Sequence, residues 1–174
     1  NRYNVTQFYD AKMNPTKTNS TEEILAGAQD NGTRRFTGAP LANNLYSDAY
    51  YDGGDGAFVE FDDNHLYKIN SYVYNNHYLY HAASNSKVDL IDAPDNDSGH
   101  FINEAALDRN LDIFYSYANQ DATTNEVTLN RVTGLSSNNP FYLDKSKIYM
   151  GIFSDEDVSY LSVSPYQATS TTLM

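Results

Sequence analysis

The chain has no cysteine, so disulfides, thiolate metal centres and thiol nucleophiles are excluded together, and burial and hydrogen bonding must hold the fold. Tryptophan is also absent, which removes the commonest sugar-stacking side chain. Basic residues are scarce: 11 Lys and Arg stand against 23 Asp and Glu, a net charge of −12, and only Arg34 and Arg35 adjoin. A polyphosphate would meet a repulsive field, so no nucleic-acid partner and no anionic membrane surface is expected. No apolar run approaches the roughly 20 residues that span a bilayer, so no membrane insertion is expected.

What remains is 40% hydrophobic, but 16 tyrosines carry much of that share, and each brings a hydroxyl that needs a partner. At 174 residues one core suffices, and residues 1–174 read as a single β-rich domain. An acidic, cysteine-free, Asn/Thr/Tyr-rich composition, opening on Asn1 rather than Met, points to an extracellular or cell-surface location after removal of a leader. The sequons at Asn4, Asn19, Asn31 and Asn96 add nothing: 20 Asn and 28 Ser plus Thr give roughly 3 by chance.

Local patterns predict a mainly β fold, a single antiparallel β-sandwich or jelly-roll-like domain of about eight strands with one or two short helices. Residues 1–10 alternate and suggest an extended N-terminal arm. Ser20-Thr21-Glu22-Glu23 reads as a capping box before Ile24, Leu25 and Ala28, which predicts a short helix. Residues 30–56 read as loop, and 103–110 as a helical turn. From Ala57 the period becomes two. Turns at Asp63-Asn64 and Asn75-Asn76 predict a three-stranded meander ending at Ala83. Lys87–Ile91 is a further strand; 111–118 with 125–132, and 147–153 with 158–164, read as hairpins. No internal repeat at a fixed period emerges.

A two-residue turn at Asn75-Asn76 sets Tyr74 opposite His77 and Tyr72 opposite Leu79. Tyr72, Tyr74, His77 and Leu79 then share one face, the candidate ligand or partner surface. The best metal candidate is the acidic loop carrying Asp92, Asp95, Asp97, Asn103 and Glu104, whose hard oxygens suit Ca²⁺; a solvated turn is the competing reading. The EF-hand register fails, since Gly99 is fifth from Asp95 and no carboxylate stands twelfth. His77 and His81, on one strand face, are too far apart to share zinc, and read as half-exposed strand residues.

No nucleophile motif is present. Glu60, Asp62, Glu104 and Asp112 are nominal carboxylates for a hydrolase, the least favoured of three readings. The first is a non-enzymatic, self-assembling surface-layer or filament subunit, whose partner is a further copy. The alternative is a secreted adhesin or carbohydrate-binding module, Ca²⁺-dependent if the acidic loop binds metal, with a glycan as partner.

Overall fold

The computed structural model describes residues 6–16, 22–38, 46–50, 53–92, 98–137, 139–153 and 158–164. They form an antiparallel sandwich of three four-stranded sheets. The first contains β1 (Phe8–Met13), β2 (Glu22–Ala28), β3 (Gly32–Gly38) and β4 (Tyr46–Tyr50). The second contains β5 (Val59–Phe61), β6 (Tyr67–Ser71), β7 (His77–His81) and β8 (Lys87–Asp89); the third contains β9 (Ala105–Asp108), β10 (Ile113–Gln120), β11 (Glu126–Thr133) and β12 (Asp144–Ile152). Within each sheet the strands lie in chain order, a plain meander without the crossovers of a jelly roll.

Turn chemistry explains much of this regularity. Hairpin connections bend with the strand twist when one residue takes positive φ. Asp30, His65, Tyr74, Asn85, Asp112 and Asn125 do so, four of them the Asn and Asp residues that tolerate that region best. A second device recurs where the leading strand of each sheet ends. The side-chain oxygens of Asn14, Asp62 and Asp108 accept the backbone N–H two residues on, from Thr16, Asn64 and Asn110. This three-fold repeat is structural: a few residues per sheet carry it, too few to stand out as a sequence period.

The middle sheet is covered on both faces, which is why β5, β6 and β7 are almost wholly buried, while β8 at its edge is largely exposed. Ile69 pairs with Leu79 and Tyr67 with His81, so one face presents Tyr67, Ile69 and Leu79 to Leu107, Phe114 and Val132 of the third sheet. The other face packs Val59 and Phe61 on Leu25 of the first. Gly27 lies where the first two sheets press closest, and a Cβ there would overlap the Ala57 carbonyl oxygen.

The antiparallel β-sandwich is as expected, but the short helices are not. The expected helix at Glu22–Ala28 is β2, a central strand hydrogen-bonded to β1 and β3, with Leu25, Ala26 and Ala28 buried. Pairing along both edges outweighs the weak helical preference of a seven-residue segment. Ser20 and Thr21 lie outside the described residues. The supposed loop 30–56 contains β3 and β4, and the helical turn at 103–110 contains β9. Among the described residues the one helical element is a 3₁₀ turn at Pro140–Tyr142, and no helix is long and apolar enough to cross a membrane. Phe8–Asp10 of the expected arm belong to β1, paired with β2 of the same chain; residues 1–5 lie outside the described residues.

Buried charge ties the first two sheets together. Glu23, itself buried, accepts from Asn14 Nδ2 at 3.0 Å and Arg35 Nε at 2.6 Å, and lies 3.5 Å from the ammonium of buried Lys68. Burial acts to raise the Glu23 pKa, but the Asn14 hydrogen bond and the two cations overcome it and hold the carboxyl below its ordinary value. Glu23→Gln leaves Lys68 buried with its charge less compensated. Urea denaturation at pH 7 is expected to show a loss of about 2 kcal/mol, discounted because Arg35 is partly solvated.

Candidate functional site

Leading strands β1, β5 and β9 converge on a cleft of about 460 Å³. The segment 158–164 supplies its fourth wall: residues 160–163 line the cleft, while Val158 and Leu161 rest on Tyr117, Val127 and Leu129 on the outer side of the third sheet. This repeats an arrangement seen twice elsewhere in the chain. β5 packs on the first sheet and β9 contributes Leu107 against the second, much as 158–164, which forms no strand, packs on the third. The described residues thus form three four-stranded meanders stacked face to face, with their leading strands around one hollow.

The side chains at the cleft are held in place. The Asp10 carboxylate accepts Lys12 Nζ at 3.0 Å, the Ala11 N–H at 2.8 Å and the Val59 N–H at 3.1 Å, joining two leading strands. Glu60 pairs with Arg109, which also donates to Asp63. Glu104 Oε2 lies 2.6 Å from His100 Nδ1. Tyr9, Phe58 and Tyr160 add aromatic surface.

Behind the cleft, between the second and third sheets, lies a buried polar knot. Asn75 Oδ1 accepts from Asn103 Nδ2 at 2.7 Å, Ser116 Oγ at 2.9 Å and Asn130 Nδ2 at 3.3 Å; Asn75 Nδ2 donates to Ser98 Oγ at 2.9 Å. Asn103 also donates to the Tyr117 carbonyl and accepts the His100 N–H. His77 borders this knot, with its ring edge-on to Phe114 at 5.0 Å.

The described residues of the expected metal loop each have another partner. Asp92 pairs with Lys145 at 2.5 Å, Asn103 sits in the knot and Glu104 holds His100; Asp95 and Asp97 lie outside the described residues. Among the described residues no three His, Asp or Glu side chains gather to hold a metal ion.

The expected Tyr/His face is also dispersed. The observed partner of His77 is Ser71 and that of Leu79 is Ile69, three residues from the expected register, because the β6–β7 connection spans residues 72–76. An odd shift exchanges the faces. Tyr72 and Tyr74 therefore lie in the turn, half exposed, with Tyr74 edge-on to Phe101 at 5.8 Å, while His77 and Leu79 are buried. His81, expected to be half exposed with His77, is likewise buried.

The nominal hydrolase carboxylates are distributed among structural tasks. Glu60 and Glu104 form the ion pairs above, Asp62 caps the turn after β5 through Asn64 and Leu66, and Asp112 accepts the Tyr67 hydroxyl at 2.9 Å. Glu60, Asn103 and Glu104 were singled out in the sequence, but not as parts of one cleft, because its lining is drawn from three sheets and residues 160–163; the Asn/Asp turn that closes each leading strand is the one local signal they share.

Together these features define an antiparallel three-sheet β domain with a cleft at its leading strands. Comparisons with protein-family models, with curated proteins and with solved structures found no match.

Proposed function

We propose that the chain is a non-enzymatic, self-assembling structural module of an extracellular or cell-surface assembly, and that copies associate through β12 and the 3₁₀ turn before it. One observation carries this reading: large apolar side chains are concentrated and exposed there. Phe141 is 92%, Tyr142 68% and Ile152 65% exposed, with Tyr149, Met150 and Phe153 also open to solvent. Such a concentration on an outer edge is a feature of association surfaces.

A second copy suits this edge. β12 pairs only with β11 among the described strands, which makes its nine residues the outer strand of the third sheet. Antiparallel pairing of two β12 strands about Ile148 sets Lys147 opposite Tyr149 and Ser146 opposite Met150, with no like charges opposed. The structural employment of Glu60, Asp62, Glu104 and Asp112 supports a non-enzymatic reading.

Light scattering and negative-stain microscopy test the proposal. The chain is expected to form dimers or larger assemblies at micromolar concentration, and the double substitution Tyr149→Lys with Ile152→Lys to raise the dissociation constant at least about tenfold, roughly 1.4 kcal/mol. Both positions are exposed, so the fold tolerates the change. A monomer at all concentrations, or assembly untouched by the substitutions, would refute it.

A further inference from the structure

The geometry points to a second, independent site: the cleft at the leading strands binds a neutral saccharide of one or two rings. Its volume of about 460 Å³ lies in the range of roughly 300–1,000 Å³ typical of small-molecule sites. Because β1, β5, β9 and residues 160–163 all line it, a ligand there touches every sheet and segment 158–164 at once.

The chemistry of the walls selects the ligand class. Asp10, Glu60 and Glu104 contribute three carboxylates, but each is already engaged by a neighbour: Lys12 on Asp10, Arg109 on Glu60, His100 on Glu104. Lys12 and Arg109 offset the charge of Asp10 and Glu60, and His100 fixes Glu104 through a hydrogen bond, so a cation gains little at the first two, and all three carboxylates retain lone pairs fixed in direction that accept from hydroxyl groups. Anions are opposed by the surplus of acidic residues and the −12 net charge. The Tyr9 and Tyr160 rings offer apolar faces for the C–H side of a pyranose, and their hydroxyls both donate and accept. Neutral rings carrying several hydroxyls match all three features. The site differs from the β12 surface in place and chemistry, and its occupation does not depend on assembly.

The test is saturation-transfer difference NMR and calorimetry on the full chain against glucose, galactose, mannose, N-acetylglucosamine and their β-linked dimers, with glucuronate and spermidine as charged comparators. At least one neutral sugar is expected to bind with millimolar or tighter affinity, with strongest transfer to ring C–H protons. Tyr160 is 78% exposed, so Tyr160→Ala leaves the fold intact; it is expected to weaken binding about tenfold, and Tyr9→Ala comparably. Tyr72→Ala, outside the cleft, is expected to leave affinity unchanged. Failure of every neutral sugar to bind, binding of the charged comparators alone, or affinity that survives both Tyr9→Ala and Tyr160→Ala would overturn the assignment.

Discussion

Replacing Asn75 by Ala is expected to lower the free energy of unfolding by about 3 kcal/mol, measured by urea denaturation at pH 7. Asn75 is fully buried and its Oδ1 accepts from three side chains belonging to the third sheet and the loop before it. The loss is smaller than three orphaned donors would cost, because Asn103 keeps the Tyr117 carbonyl and Asn130 keeps Ser116 Oγ. The Ser116 hydroxyl loses the acceptor to which it donates, Ser98 Oγ loses the Asn75 donor, and the truncated side chain leaves a small void. Ser116→Ala removes a single donor and is expected to cost about 1 kcal/mol. Equal losses for the two substitutions would show that Asn75 is not the centre of the network.

Acidification is expected to destabilise the fold well before its carboxylates titrate. The His77 imidazole is buried and its Nδ1 has no hydrogen-bond partner among the described residues; burial pushes its pKa down to about 3. The unfolded chain takes up that proton near pH 6.5, whereas the native state refuses it until about pH 3. Stability from this group is therefore complete above pH 6.5 and falls by about 1.4 kcal/mol per pH unit below it, on the order of 4 kcal/mol by pH 3. Burial lowers the His81 pKa too, so it acts in the same direction. Glu23 has a depressed folded pKa, and its contribution is lost only below its ordinary value of 4.5. Between pH 7 and pH 5, then, the decline belongs to histidine. Denaturation curves at those two pH values are expected to differ by about 2 kcal/mol in the native sequence and by distinctly less in His77→Gln. An unchanged difference in the variant would place the titrating group elsewhere.

Period-two alternation and turn-forming Asn and Asp are local properties, and they sufficed for the mainly β class, for the β10–β11 hairpin and for chain reversals near Asp63-Asn64 and Asn75-Asn76. Tertiary structure decided the rest. Ser20–Glu23 has the pattern of a capping box ahead of Ile24, Leu25 and Ala28, and only the presence of β1 and β3 on the two edges of Glu22–Ala28 selects the strand. The β6–β7 register turns on Asn75, which a two-residue turn would leave in the connection as a solvent-facing corner. Instead its side chain is drawn into the polar knot, the connection lengthens to residues 72–76, and every side chain expected on the Tyr72–Leu79 face is displaced. The cleft was equally hidden: Tyr9, Glu60, Glu104 and Tyr160 come from four separate stretches of chain, and proximity between residues so far apart is a property of sheet stacking rather than of any local pattern.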